Sequence, residues 1–254
     1  MANKKSNMTP DELLELACEK FYKVYDFDKN TKASDKKWIR VGVFPGGFTA
    51  EIRWNFFDGE RLISDEPFDK AEPFHDGTSV VTRNKKYNVL RDNGTLVFKE
   101  WYHHISDTPN GKYIVEVVED EYGLKRKEAF ADADGNIISD WYQNILPMLH
   151  GHLYNVSKST GPGVLDRIQA VFDSDRMEIV SEWYDDVCLF MGKTKYCRIR
   201  KGNLYNVIGE DCKPMFGLWS SKPIVVDEKG NCQLFDQAGG AFNASLVTRQ
   251  VTEI

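Results

Sequence analysis

Several signals that would place this sequence in a familiar class are absent. No run of about 18 apolar residues occurs, so no helix is expected to span a membrane. Polar residues follow the lysines near the N-terminus, which excludes the apolar centre of a secretory signal. The chain has five cysteines and no Cys-x-x-Cys pair. A reducing location is therefore expected, either the cytoplasm or a particle assembled inside the cell.

Positive charge is not in excess, since the formal net charge is −6. A general nucleic-acid binder is therefore not expected, although a local basic surface could still bind a phosphate backbone. Apolar material is sufficient for a packed core, with 41% hydrophobic and 13% aromatic residues. Aromatic residues and valine suit the half-buried surface of a sheet, which favours a β-rich protein.

A single helix is predicted near the N-terminus. Thr9 and Glu12 have the spacing of a capping box, and Pro10 stands at the first helical position. Apolar residues then recur with a helical period, namely Leu13, Leu14, Ala17, Cys18, Phe21 and Tyr22. We expect the helix either to pack on the domain that follows or to dock onto a partner. Residues 1–37 are predicted to be this helix with a polar linker at 26–37, and residues 38–254 a β-repeat domain.

From residue 38 onward the sequence contains a repeat. Short runs with a two-residue period are separated by Gly, Asn and Asp, which is typical of many short strands. Trp-Tyr pairs, each preceded by an acid, start at Trp101, Trp141 and Trp183, and thus recur about every 40 residues. Tyr-Asn-Val followed by an acidic turn starts at Tyr87 and again at Tyr205. Because large rings at a repeated place are typical of a core, the three tryptophans are expected to be buried at equivalent positions.

This unit, a turn glycine, a strand, Tyr-Asn-Val, an acidic turn and Trp-Tyr, resembles the bacterial WG-repeat proteins over about residues 50–235. The aromatic-glycine pair of that pattern is present as Tyr122-Gly123, whereas asparagine replaces the glycine at Asn88 and Asn206. The resemblance implies a β-repeat array used in interactions, and it supplies no catalytic residues.

The expected fold class is an all-β, antiparallel repeat architecture, propeller-like or an open β-array, with one N-terminal α-helix. Each unit has three clear strands and a connecting segment. If that segment is a strand, about four or five four-stranded units would close into a propeller, and if it is only extended, the units would stack as an open array. Residues 38–43 could pair with residues 245–251 to close the ring, which would remove exposed edges.

No motif for catalysis or cofactor binding is evident. Glu100, Asp140 and Glu182 could suggest the carboxylate pair of a glycosidase, but an active site is normally built once, so repetition indicates scaffold. Residues 132–136 resemble the start of a calcium loop, yet its twelfth position is Gln143 rather than a bidentate glutamate. We expect an ordinary turn there, no metal, no cofactor, and no enzyme activity.

Basic and acidic residues occupy different places in the repeat. Basic clusters precede Tyr-Asn-Val or its equivalent, and acidic turns containing Asp92, Asp134 and Asp211 follow it. Consecutive turns of an antiparallel meander lie at opposite ends, so one end of the array is expected to be basic and the other acidic. The candidate binding residues at the basic end are Lys85, Lys86, Lys125, Arg126, Lys127, Arg200 and Lys201. This end is either solvated without a partner or bound to an acidic surface.

Together these features predict a non-catalytic protein-interaction module built on a β-repeat platform, with a protein as its partner and no membrane contact. One alternative is a structural subunit of a larger assembly such as a virion. Another is a carbohydrate-active propeller, which would need two convergent acids in a central pocket.

A register prediction concerns two cysteines. Residues 191–194 would form a tight turn centred between Gly192 and Lys193. That turn places Cys188 directly opposite Cys197, within the Cα separation that a disulfide needs. Free thiols are nevertheless expected, because the expected location is reducing.

Overall fold

The structure, a computed structural model, describes residues 9–21, 23–25, 39–43, 52–148, 151–163, 166–189, 196–227 and 229–253. The predicted linker at 26–37 and the predicted turn at 191–194 lie outside these ranges. The described residues form one α-helix and nineteen β-strands in six small sheets. The predicted all-β architecture with one N-terminal helix is therefore confirmed, and it has six sheets where four or five units were expected.

The helix, α1 (Pro10–Lys20), begins at the predicted capping box. The Thr9 hydroxyl accepts from the Glu12 backbone N–H at 3.3 Å, and the Glu12 carboxylate accepts from the Thr9 backbone N–H at 2.7 Å. Ala17 is fully buried and belongs to the same apolar cluster as Phe57. The helix thus packs on the domain that follows it, which was the first of the two alternatives.

The chain divides into two compact units. The first comprises Met1–Ser106, Val115–Val117 and Ala131–Asn136, and the second comprises Asp107–Ile114, Val118–Phe130 and Ile137–Ile254. Two three-stranded sheets lie in the first unit, formed by β1 (Lys23–Tyr25), β2 (Ile39–Val43) and β3 (Arg53–Phe57), and by β4 (Lys70–Ala71), β5 (Thr78–Arg83) and β6 (Lys86–Arg91). A third sheet is formed by β7 (His104–Asp107), β8 (Tyr113–Val118) and β9 (Arg126–Ala131).

The second unit contains one four-stranded and two three-stranded sheets. Their strands are β10 (Asn144–Pro147), β11 (Leu153–Ser159), β12 (Arg167–Asp173) and β13 (Glu178–Ile179), then β14 (Asp186–Leu189), β15 (Cys197–Lys201) and β16 (Leu204–Ile208), and finally β17 (Asn231–Phe235), β18 (Ala241–Ser245) and β19 (Val251–Glu253). Strands follow chain order in every described sheet, and neighbours with a given register are antiparallel. β2 pairs with β1 and β3, so both of its edges are occupied and its predicted pairing with residues 245–251 is wrong.

The connecting segment of the repeat is extended and makes isolated bridges, and in one sheet it also contains the two-residue fourth strand β13. The bridges that recur at equivalent places of five sheets are Trp54 with Phe68, Tyr87 with Tyr102, Glu128 with Tyr142, Gln169 with Tyr184, and Tyr205 with Ser220. Each joins the start of the third strand to the end of the returning segment. The predicted repeat is therefore present in the backbone, with the Trp-Tyr pair at its predicted place.

The tyrosine, and not the tryptophan, is the buried member of each pair. Tyr142 and Tyr184 are 3% and 1% exposed, whereas Trp141 is 37% exposed and Trp183 is only half-buried. Neighbouring side chains of an extended segment point to opposite sides, so the residue that faces the core leaves its neighbour outside. Trp101 and Trp183 are partly buried against apolar clusters, whereas Trp141 is exposed, so the predicted burial of the tryptophans is confirmed only in part.

Buried asparagines explain the Tyr-Asn-Val landmark. The amide of Asn206 donates to the Phe216 carbonyl at 2.8 Å, and its side-chain oxygen accepts from the backbone N–H groups of Val207 and Phe216 at 2.8 and 3.3 Å. Asn88 and Asn55 make the same bonds in their own sheets. Asparagine therefore satisfies, on each of these third strands, backbone groups that the returning segment leaves unpaired.

The two-residue turn between β5 and β6 offers a test of local strain. Asn84 and Lys85 have φ of +52° and +62°, the left-handed pair of a type I′ turn. We expect Lys85→Gly to raise the free energy of unfolding by about 0.5–1 kcal/mol, because glycine lacks the Cβ penalty there but adds freedom to the unfolded chain. Urea titration measures the change, with Lys85→Ala as the control. An equal gain in both variants would contradict the strain argument.

The cysteine register differs from the prediction by one residue. Cys197 faces Leu189, and Cys188 faces Arg198. Cys188 and Cys197 are therefore not directly opposite each other on the two strands. Both are free thiols, as are Cys212 and Cys232. Burial raises the pKa of the Cys197 thiol to about 12, which keeps it protonated and unreactive near neutral pH.

Candidate functional site

Each predicted basic residue lies in or beside a hairpin. Lys85 and Lys86 stand at the β5–β6 turn, residues 125–127 at the β8–β9 hairpin, and Arg200 and Lys201 before the β15–β16 turn. The acidic turn in each of these sheets follows the third strand and so lies at the other end of that strand. The alternation of basic and acidic turns is present within single sheets. A shared basic end across the whole array remains a prediction.

Acidic neighbours neutralise part of the basic set. Lys127 lies 2.6 Å from Glu119, Lys201 lies 2.6 Å from Glu182, and Arg200 lies 3.9 Å from Asp185. Lys85, Lys86 and Lys125 are exposed, and no ion pair is present at these three lysines within the described ranges. The positive charge available to a partner is therefore smaller than the sequence suggests.

The β8–β9 hairpin carries two large apolar side chains into solvent. Tyr122 is 77% exposed and Leu124 is 81% exposed, and they stand two residues apart on one hairpin. Lys125 and Arg126 follow them directly and are also exposed. Leu124 was not predicted from the sequence, and Tyr122 was predicted only as part of an aromatic-glycine pair. An apolar residue within a run of charged residues, 119–127, was the available signal.

Asp120 holds the tip of this hairpin in one conformation. Its Oδ1 accepts from the backbone N–H groups of Leu124 and Lys125 at 2.8 and 3.0 Å. Gly123 takes a φ of +72°, which the reversal of the chain requires, and its carbonyl accepts from Arg126 Nε at 2.9 Å. Tyr122 and Leu124 are thus presented on an ordered turn.

Two of the three acids before tryptophan, Asp140 and Glu182, and Glu66 ahead of Phe68 each pair with a cation that lies over aromatic rings. Lys158 Nζ lies 5.4 Å from the ring centre of Tyr142 and 5.3 Å from that of Trp183, and 2.9 Å from Asp140. Arg83 lies in the same way between the rings of Phe68 and Trp101 and pairs with Glu66 at 3.0 Å. Lys201 pairs with Glu182 and lies over Tyr184. These acids are therefore engaged with cations of the next repeat.

The segment resembling a calcium loop is a turn that satisfies its own carboxylate. Asp132 Oδ1 accepts from the N–H groups of Asp134 and Asn136 at 2.9 Å each, and Oδ2 accepts from the Asn136 amide at 3.0 Å. These bonds, above all those from Asn136, lower the pKa of Asp132. Asp227 is held in the same way by Asn231. Over the described ranges, no group of three or more His, Cys, Asp or Glu side chains could hold a metal ion.

Two of the known structures that match this chain resemble it weakly. No protein-family model and no curated protein matches the chain, so the WG-repeat resemblance remains a prediction. A crystal structure of a eukaryotic initiation factor matches 85% of this chain at 11% identity and a TM-score of 0.38, and this chain spans about half, 54%, of it. The WD40 beta propeller domain of Doa1 matches 85% of this chain and 77% of its own at 11% identity and a TM-score of 0.28. Similarities of this size carry no information on partner or activity.

Among the described residues, no helix has the length and apolar character needed to cross a bilayer.

Proposed function

We propose that the protein is a non-catalytic protein-interaction module that contacts its partner through the tip of the β8–β9 hairpin. The observation that carries the proposal is the exposure of Tyr122 and Leu124, at 77% and 81%, on a turn whose backbone is held by Asp120. Aromatic anchors of this kind supply most of the binding energy of protein interfaces.

An ordered tip reduces the entropic cost of binding. Side chains on a turn that is already hydrogen-bonded lose little backbone freedom when a partner covers them. Burying a side chain of this size stabilises a complex by about 1.5–3 kcal/mol. Tyr122 and Leu124 together can therefore anchor an interface, provided that the partner offers an apolar pocket.

The charges beside the tip indicate the character of the partner. Lys125 is exposed, and no ion pair is present at it within the described ranges, whereas Glu119 is paired with Lys127. A partner with an apolar pocket rimmed by acids would fit both features. Exposed charges of this kind mainly raise the association rate and make it depend on salt.

The ion pairs made by the repeated acids support the proposal that the protein is not a catalyst. Asp140 is paired with Lys158, and Glu182 with Lys201, each beside aromatic rings. Two carboxylates that flank a sugar bond must be free to donate a proton or attack carbon. Acids that bind a cation of the next sheet, as Asp140 and Glu182 do, are better explained as links between repeats.

Removing both anchors tests the proposal. Photo-crosslinking from position 122 in extract of the native source first identifies the partner, and calorimetry with the purified partner then gives the dissociation constant. We expect Tyr122→Ala with Leu124→Ala to weaken binding by about 100-fold, because each truncation removes an exposed anchor. Val247→Ala is the matched control, since Val247 is 74% exposed on another hairpin. Binding that survives the double variant, or is lost equally in the control, would refute the proposal.

A further inference from the structure

We propose that the outer face of the β17–β18–β19 sheet binds a neutral oligosaccharide. Side chains alternate across this sheet, so that Cys232, Leu234 and Ala244 are buried in one apolar cluster. Gln233 and Asn243 lie on the opposite face and are exposed. The proposal is independent of the hairpin site, and it concerns binding only.

The polar residues of this face are in register. Gln233 lies directly opposite Asn243, and Asn243 directly opposite Thr252, so one row crosses all three strands. Asn231 and Ser245 form the next row. Facing residues on antiparallel strands are about 5 Å apart, and amide and hydroxyl groups both donate and accept hydrogen bonds. The hydroxyl groups of a polyhydroxylated ligand also donate and accept hydrogen bonds, so such a ligand needs a surface that can do both.

Three amides of this face are available for a ligand, whereas the Asn231 amide donates to the Asp227 carboxylate at 3.3 Å. Within the part of the chain that the structure describes, the side-chain amides of Gln233, Asn243 and Gln250 have no hydrogen-bond partner. Elsewhere in the protein, by contrast, asparagines such as Asn206 are fully engaged with backbone groups.

The face carries almost no charge, which decides between ligand classes. A shallow hollow of about 400 Å³ is lined by Asn231, Cys232, Asn243, Ala244, Ser245, Thr248, Gln250 and Thr252, with no acid or basic residue. The adjoining hollow of about 470 Å³ contains one acid, Asp227, whose carboxylate is bound by its own turn. The Lys222 ammonium lies 4.1 Å from the ring centre of Phe235, which lines the second hollow, so the two charges beside this face have opposite signs. A face with so little net charge disfavours acidic and basic partners alike and favours a neutral ligand.

An apolar border completes the site. Val225 is 78% exposed and lines the second hollow together with Pro223. The C–H face of a sugar ring can pack on such side chains while its hydroxyls bond to the amides.

The test uses the full chain, labelled with ¹⁵N, and three probes: cellohexaose, maltohexaose and chitohexaose. At least one probe should cause saturable shifts of the Gln233 and Asn243 side-chain N–H signals at concentrations up to about 10 mM. Gln233→Ala with Asn243→Ala should weaken the affinity at least about tenfold, because two exposed amides are lost without a change in the core. Asn203→Ala, an exposed amide on the β15–β16 turn, should bind as the wild type does.

Three results would overturn the proposal. The first is the absence of saturable shifts with all three probes, and the second is unchanged affinity in the Gln233→Ala and Asn243→Ala variant. The third is a dimer that this variant abolishes, which would assign the face to a second copy of the chain. The Tyr122→Ala and Leu124→Ala variant must bind the oligosaccharide normally. Failure of the hairpin proposal is thereby kept distinct from failure of this one.

Discussion

Replacing Asn206 with alanine is expected to lower the free energy of unfolding by about 3 kcal/mol. Asn206 is fully buried, and its side chain bonds the backbone N–H groups of Val207 and Phe216 and the Phe216 carbonyl. Alanine would leave these three groups buried without a partner. An unpaired buried polar group costs about 1–3 kcal/mol, and partial relaxation or entry of water reduces the sum.

Chemical denaturation of the purified variant measures this loss. Asn203→Ala is the matched control, because Asn203 is exposed in the turn of the same β15–β16 hairpin, and it is expected to change stability by less than about 0.5 kcal/mol. A similar loss in the two variants would show that asparagine matters here through the turn and not through the buried bonds.

Two sheets confirm what the asparagine does, because they solve the same problem differently. Ala129 and Ala170 stand at the equivalent positions, one residue before Phe130 and Val171. There, serine supplies the acceptor from the returning segment: Ser139 Oγ accepts from the Phe130 N–H at 2.9 Å, and Ser181 Oγ from the Val171 N–H at 2.8 Å. The repeat therefore conserves a hydrogen bond and not a residue type, which is why its sequence pattern is irregular.

The repeat could be predicted from sequence because its landmarks lie at sites of backbone constraint. The acidic turns and Trp-Tyr pairs are spaced by the length of one unit, and composition favoured strands. Burial of the pair could not be predicted, since a one-residue shift exchanges the two faces of an extended segment. The same limit applies to the cysteines: Cys188 faces Arg198, so the register of the two strands differs by one residue from the predicted register.

The candidate site was predicted only in part, for a different reason. Positions of basic residues in hairpins follow from chain order, and Lys125 and Arg126 lie where the sequence indicated. The exposure of Leu124 depends on the Asp120 bonds that turn the hairpin tip outward. Ion pairing of Lys127 and Lys201 depends on which acid lies beside each strand end, which sequence spacing does not give.

Replacing Gly135 with alanine is expected to lower the free energy of unfolding by about 4 kcal/mol. Gly135 has a φ of +86°, where a Cβ is strained. A Cβ built there would lie 2.3 Å from the Val97 carbonyl oxygen and 2.9 Å from the Val97 carbonyl carbon, both backbone atoms that cannot move aside cheaply. At the equivalent turn glycine, Gly94, an added Cβ would lie 3.3 Å from the Ile63 carbonyl oxygen.

Gly111→Ala separates the two causes of this loss. Gly111 has a φ of +73° and nothing within 4 Å of its Cβ position, so alanine there adds only conformational strain of about 1 kcal/mol. The difference between the two variants in urea titration, about 3 kcal/mol, is then the cost of pushing the turn away from the returning segment of the preceding sheet. If both variants lose the same amount, close approach of backbone to backbone does not explain the glycine, and the acidic turn is a local feature of each sheet. If they differ as expected, the turn glycine of the repeat is required by the packing of one sheet on the next.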